Sequence, residues 1–137
     1  MPVRVTTADA PHLLRYTFDS EWEACELAER RRELIRAGQL TADSAVLFDL
    51  RKSTAFPSVH DLNAAVMDGV WPACRAFVVA SQSQYDLARR LQALLGPHTV
   101  ISQIFDDEAE ALEWLAAFTA RRRSVSGASR PACQRVT

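Results

Sequence analysis

The sequence predicts one α/β domain with a mostly parallel sheet of four to five strands and about four helices. Segments of uninterrupted apolar residues recur along the chain, which is typical of strands that are covered on both faces. Segments with apolar residues at helical spacing alternate with them. The 137 residues suffice for one core and are too few for two. Such alternation indicates βαβ units with right-handed crossovers and parallel pairing.

The N-terminal part predicts a strand followed by a helix. Residues 12–18 are rich in β-forming residues, and residues 3–6 are expected to pair with them antiparallel at the edge of the sheet. Ser20, with Glu23 three residues later, has the spacing of a capping box and predicts the start of the first helix. Gly38 predicts its end, because glycine commonly follows the last helical residue.

The middle of the chain predicts two buried strands, each followed by a helix. Residues 45–50 and 76–80 are almost entirely apolar and predict the two strands. Ser58 is expected to begin the second helix, with Val59 among its inward residues. Ser83 is expected to cap the third helix.

The C-terminal part predicts the last strand, the fourth helix and a tail. Residues 99–105 form the predicted strand, and Asp106 is expected to cap the helix. Trp114 is expected to shield the core beside an apolar stripe, formed by Ala109, Leu112, Leu115, Ala116 and Thr119. Residues 121–137 carry five arginines and no acid, so a flexible basic tail is expected after a domain of residues 1–120.

Composition and charge limit the classes of function that the sequence supports. No apolar segment is long enough for a membrane span, and the N-terminus lacks the apolar core of a signal peptide, so we expect a cytoplasmic protein. The net charge is −1, and we expect no nucleic-acid partner. The three cysteines lack Cys-x-x-Cys spacing, which argues against a disulfide framework or a zinc site. Cys25 and Cys74 are therefore expected to be small buried residues.

The common catalytic and cofactor-binding motifs are absent from the sequence. It contains no His-Glu-x-x-His pair, no Gly-x-Ser-x-Gly elbow and no glycine-rich phosphate or dinucleotide loop. The three histidines fall in different predicted elements. We therefore expect a protein that is not an enzyme and that needs no cofactor and no metal.

Ligands of open α/β sheets bind beyond the carboxyl ends of the parallel strands, where helix N-termini also attract anions. The candidate binding residues at that edge are Asp49, Arg51, Ser58, His60, Ser81 and Ser83. Asp49 is the acid at the end of an otherwise apolar strand. Its carboxylate either accepts hydrogen bonds from backbone N–H groups of the following loop, which is a structural role, or orients a partner or a phosphoacceptor, which is a functional role.

The segment from Ala45 to Val59, Ala-Val-Leu-Phe-Asp-Leu-Arg-Lys-Ser-Thr-Ala-Phe-Pro-Ser-Val, resembles the core of STAS domains, the fold of bacterial anti-sigma-factor antagonists. In that family an apolar strand ends in Asp-Leu, and a short loop leads to Asp-Ser-Ser-Gly at the start of a helix. Residues 100–105 and the following Asp-Asp-Glu-Ala-Glu-Ala-Leu-Glu-Trp-Leu are similar to the closing strand and helix of small bacterial STAS-like proteins. The resemblance covers about residues 10–118 and implies a STAS-like fold.

The resemblance also implies a role for Ser58. In STAS domains the first serine of Asp-Ser-Ser-Gly is phosphorylated by a partner kinase, and Ser58 falls on that position. Here Pro57 replaces the acid, and Val59 and His60 replace the Ser-Gly pair. Ser58 is thus a candidate phosphoacceptor and a candidate helix cap.

Two functions follow from these features. The first is a regulatory or protein-interaction domain that binds another protein through the loop and helix of residues 51–66, with a homodimer left open. The alternative is a small-molecule or anion receptor that uses the rim at the carboxyl ends of the strands.

Overall fold

A computed structural model describes residues 3–7, 13–40, 44–66, 74–94 and 101–118, and every structural statement below concerns these residues. The predicted tail, residues 121–137, lies outside them. In chain order the elements are β1 (Val3–Thr7), β2 (Leu13–Ser20), α1 (Ala24–Arg36), β3 (Ala45–Ser53), α2 (Val59–Val66), β4 (Cys74–Val78), α3 (Gln82–Leu94), β5 (Ile101–Phe105) and a helix α4 described over residues 108–118.

The five strands form one sheet in the order β1-β2-β3-β4-β5. β1 pairs antiparallel with β2, and the other three pairs are parallel. The predicted mostly parallel α/β sheet with an antiparallel edge strand is therefore confirmed.

Helices cover both faces of this sheet. Each of α1, α2 and α3 connects a strand to its next parallel neighbour, so right-handed crossovers place all three on the same face. Their core includes Phe48 and Phe77, whose rings stack with centroids 4.9 Å apart. On the other face Leu47 and Ala76 pack with residues of α4. The first six residues of β3 are consequently all buried, which explains their lack of polar alternation.

The first helix begins later than predicted. Ser20 is the last residue of β2 and has a φ of 50°. Glu23 is the N-cap, and it forms a reciprocal capping box with Glu26. The backbone thus leaves the strand through a left-handed residue before the helix can start. Gly38, with φ +72°, follows the helix C-cap as predicted.

Two other predicted caps are displaced by one or two residues. The Gln84 N–H donates to Ser81 Oγ over 3.2 Å, so Ser81 caps α3 and Ser83 lies inside its first turn. The Ala109 N–H donates to Asp107 Oδ1 over 3.2 Å, so Asp107, not Asp106, caps α4. A capping oxygen accepts a hydrogen bond from an N–H group two or three residues later in the chain. Each of these helix starts has two residues of the same type close together, Ser81 and Ser83 or Asp106 and Asp107, so the sequence alone does not show which of them is the cap.

For seven of the side chains that were predicted to pack in or against the core, burial in the structure contradicts four of these predictions and confirms three. Val59 is 53% exposed, and Cys25 is also exposed. Cys25 follows the buried Ala24 and is turned about 100° from it around the helix, away from the core. On α4, Ala111 and Leu115 are buried whereas the predicted inward residues Ala109 and Ala116 are exposed. Cys74 is buried as predicted, as is Leu115, and the half-buried Trp114 packs on Phe105 beside the core.

None of the described helices is both long and apolar enough to cross a membrane.

Candidate functional site

Asp49 is the fifth of the nine residues of β3, because the strand continues beyond the predicted end at residue 50, and its carboxylate is bound by Arg51. The Arg51 backbone N–H donates to Asp49 Oδ1 over 3.1 Å. Its guanidinium donates to both carboxylate oxygens, over 2.9 Å from Nε and 2.8 Å from Nη2. A backbone donor is therefore present, but it belongs to β3 and not to the following loop as predicted. The paired side-chain bonds add the strong two-point geometry of an arginine–carboxylate contact.

Two further residues extend this contact into a cluster that joins three elements. Arg15 of β2 donates to Glu108 of α4 over 3.1 Å and lies 3.5 Å from Asp49 Oδ2. Arg51 donates to the same Glu108 oxygen. We call these residues the Asp49 cluster: Arg15, Asp49, Arg51 and Glu108.

The charges of the Asp49 cluster hold its carboxyl groups ionised. Burial raises the pKa of Asp49, but the hydrogen bonds and charge of Arg51 outweigh burial and leave that pKa below its usual value. The hydrogen bond from Arg15 lowers the pKa of Glu108. The carboxylates and guanidinium groups thus satisfy one another, and the cluster fastens α4 to β2 and β3.

Gln84, which the sequence reasoning did not single out, joins the ends of β3 and β4 to α3. Its side chain is buried and donates to the Arg51 and Ser53 carbonyls, each over 3.1 Å. Its Oε1 accepts the Ala80 N–H over 2.7 Å. The signal that could have found it is the Ser-x-x-Gln spacing from Ser81, a sequence pattern of helix N-termini.

The segment from Thr54 to Ser58, called here the 54–58 loop, is anchored at its base. Trp22 Nε1 donates to Ser53 Oγ over 2.7 Å, and that hydroxyl donates to the Ala55 carbonyl over 2.9 Å. The Thr54 N–H donates to the Ser20 carbonyl over 3.0 Å. These hydrogen bonds thus hold the start of the loop against β2 and the segment before α1.

The far end of the loop leads into α2 through Ser58. Ser58 Oγ accepts the Asp61 N–H over 3.1 Å, which is the geometry of a helix N-cap. The cap that the sequence suggested is therefore present, and the phosphoacceptor role remains a prediction. Phe56 is 43% exposed and Val59 53% exposed on either side of Ser58. We call Phe56 and Val59 the exposed pair.

A cleft of about 700 Å³ lies between α1 and α2, with the 54–58 loop along its border. We call it the α1–α2 cleft. Its lining is mostly apolar, with charged groups at its ends. The lining residues are Trp22, Glu23, Ala24, Cys25, Ala28, Arg32, Ala55, Phe56, Pro57, Asp61, Ala64 and Ala65.

The six predicted binding residues fall into two groups. Asp49 and Arg51 belong to the Asp49 cluster, which contacts α4 on one face of the sheet. Ser58 and His60 lie at the start of α2, and Ser81 and Ser83 at the start of α3, both on the opposite face. None of the six lines the α1–α2 cleft. The structure therefore brings Asp49 and Arg51 into contact, but it does not bring the six residues into one pocket.

No three histidine, cysteine, aspartate or glutamate side chains in the described part of the chain form a group that could hold a metal ion.

Comparisons with known proteins identify the fold. The sequence matches no model of a protein family. It also has no significant match among curated proteins. Among solved structures, this chain is similar to an uncharacterised protein of the DUF3478 family with a SpoIIAA-like fold from Shewanella loihica PV-4. The two share 17% identity with a TM-score of 0.58, over 82% of this chain and 91% of that chain.

The chain has a SpoIIAA-like, STAS-like fold. This agrees with the resemblance of residues 45–59 to the core of STAS domains. The identity is low enough that the comparison establishes the fold alone.

Proposed function

We propose that this chain is a non-catalytic regulatory domain that binds another protein through the 54–58 loop and the first turn of α2. The observation that carries the proposal is the exposed pair. Phe56 and Val59 are large apolar side chains with about half of their surface in water, three residues apart at the loop–helix junction. Exposed apolar and aromatic side chains commonly become the buried anchors of a protein interface.

The order of the 54–58 loop supports this proposal. Hydrogen bonds at its base, from Trp22 to Ser53 and from Ser53 to Ala55, hold it before any partner arrives. The Ser58 cap holds its other end. A surface that is already ordered loses less conformational entropy on binding than a mobile one.

The STAS-like fold supports a regulatory role for the same segment. In STAS domains the serine at the corresponding loop–helix junction controls binding to a partner kinase. In this chain Ser58 lies between the members of the exposed pair, so a modification there would alter the proposed surface directly.

The hydrogen bonds of the candidate side chains support a binding role over a catalytic one, because these groups already serve the fold. Both carboxylates of the Asp49 cluster accept hydrogen bonds from arginines. The hydroxyl oxygens of Ser58 and Ser81 accept hydrogen bonds from backbone N–H groups at the starts of α2 and α3. A receptor at this rim is the weaker alternative, because Asp49, Ser58, Ser81 and Ser83 do not line the α1–α2 cleft.

Affinity capture from the native cell extract with matched variants tests the proposal. The double variant Phe56→Ser/Val59→Ser should retain the captured partner at least about tenfold less well than the unaltered chain, because anchor residues carry much of the binding free energy. Ile101→Ser is the control, since Ile101 is 47% exposed but lies at the start of β5. Equal retention by the double variant and the unaltered chain would reject the surface.

The variants Ser58→Asp and Ser58→Ala, used in the same capture experiment, test whether Ser58 regulates binding. Aspartate is also a good N-cap, so Ser58→Asp should fold normally while it places a negative charge between Phe56 and Val59. A regulated switch predicts that Ser58→Asp loses the partner whereas Ser58→Ala keeps it. Equal capture by the two variants would argue against regulation at Ser58.

A further inference from the structure

The charges that line the α1–α2 cleft are separated along it. Glu23 and Asp61 line it near the starts of α1 and α2, whereas Arg32 lines it further along α1. Arg32 follows the N-cap Glu23 by nine positions, a distance of about 14 Å along the helix axis. The cleft therefore has an acidic end and a basic end.

The part of the cleft between these ends is built from small side chains. Ala24, Cys25 and Ala28 line it from α1, and Ala64 and Ala65 line it from α2. Side chains of this size allow another helix to approach the backbone closely. An apolar cleft with one acidic and one basic end fits a helix whose charges run in the opposite order.

The exposed surface of α1 itself carries charges in such an order. The acids Glu21 and Glu23 precede Glu29 and are exposed. After Glu29 the exposed charges are Arg32, Glu33 and Arg36, so this half of the helix surface is basic on balance. A second copy of α1 laid antiparallel would place its basic half at the acidic end of the cleft, and its acidic half at the basic end. A parallel copy would bring like charges together at both ends.

We propose that the α1–α2 cleft is the interface of a symmetric homodimer, in which the α1 helices of two copies lie antiparallel. A two-fold axis near Ala28 then pairs Arg32 of each copy with Glu23 and Asp61 of the other. Such an interface is self-complementary, because every contact occurs twice. The proposal goes beyond the function proposed above. The cleft shares Phe56 with the exposed pair, whereas Val59 lies outside its lining, and the variants that test the dimer change neither residue.

Complementary charge variants test the dimer. Arg32→Glu and Asp61→Arg alter exposed residues and leave the Glu23 cap in place. The molar mass of the full chain, measured by sedimentation across a range of concentrations, should show a dimer for the unaltered chain. Either variant alone should dimerise at least about tenfold more weakly, because it faces like charges. An equimolar mixture of the two should regain the dimer, since the glutamate introduced at position 32 of one copy then meets the arginine introduced at position 61 of the other.

Alkylation of Cys25 locates the interface. Cys25 is exposed and lines the cleft, so its reaction with a maleimide, followed by peptide mass spectrometry, should slow as the unaltered chain dimerises. Recovery in the mixture also shows that both variants are folded. A chain that is monomeric at every concentration would overturn the proposal. So would a dimer insensitive to both variants, or a mixture that stays monomeric while circular dichroism shows both variants folded.

Discussion

Replacing Trp22 by alanine should lower the free energy of unfolding by about 3–5 kcal/mol, the usual cost of truncating a large buried aromatic residue. Trp22 is 2% exposed, and its ring meets the Phe18 ring edge-on with centroids 4.7 Å apart. The variant also removes the buried donor to Ser53 Oγ. Denaturant unfolding of the two proteins measures the difference.

Trp22→Phe separates packing from hydrogen bonding. Phenylalanine keeps most of the buried ring and loses the N–H, so a smaller loss of about 0.5–1.5 kcal/mol is expected from the missing hydrogen bond to the Ser53 hydroxyl, which still donates to the Ala55 carbonyl. Amide exchange of Thr54, which donates to the Ser20 carbonyl, should become faster in the same variant. Exchange at the unaltered rate would show that Trp22 does not hold the 54–58 loop.

Asp49→Ala should lower the free energy of unfolding by about 1–3 kcal/mol, because it removes several hydrogen bonds between the ionised Asp49 carboxylate and Arg51. The variant leaves the Arg51 backbone N–H without the Asp49 oxygen and removes both side-chain bonds from the Arg51 guanidinium. Asp49→Asn is the matched control. It keeps one oxygen for the backbone N–H and loses the charge, so its loss should be smaller. An unchanged melting temperature together with lost partner binding would assign Asp49 to function instead of structure.

The pH dependence of stability provides an independent check on the Asp49 cluster. The pKa values of Asp49 and Glu108 lie below their ordinary values in the folded chain. The unfolded chain therefore binds protons first as the pH falls, and the stability that these carboxylates supply at neutral pH is lost below about pH 4–5. The stability of Asp49→Ala should decline less steeply over that range. A parallel decline in both proteins would contradict the assignment.

The sequence predicted the sheet and its order of elements because these depend on local patterns. The first six residues of β3 are almost entirely apolar and are buried on both faces. The predicted antiparallel edge strand is β1. Right-handed crossovers then leave few other arrangements for such a chain.

The exact helix starts could not be predicted in the same way. Ser81 and Ser83 are chemically equivalent as caps, and so are Asp106 and Asp107. The choice within each pair depends on where the preceding strand ends. Ser20 was misassigned because its spacing from Glu23 suits a capping box, whereas the structure extends β2 to that residue and uses Glu23 as the cap.

The candidate site was predicted only in part because its contacts join distant residues. The backbone contact of Asp49 is local, since its donor is only two residues away. The contact of Arg15 with Glu108 spans 93 residues, and nothing in the local sequence around either residue indicates it. Val59 was expected to face inward, whereas it is exposed within the segment of residues 51–66 that the sequence indicated as an interaction surface.

Photo-crosslinking at position 59 tests the proposed surface most directly. A photoreactive phenylalanine analogue placed at Val59 in the native host should trap one distinct partner protein in a light-dependent adduct. The same analogue at Ile101, which is similarly exposed at the start of β5, should not trap it. Identification of the adducts by mass spectrometry gives the result. The same adducts at both positions, or none at position 59, would contradict the account.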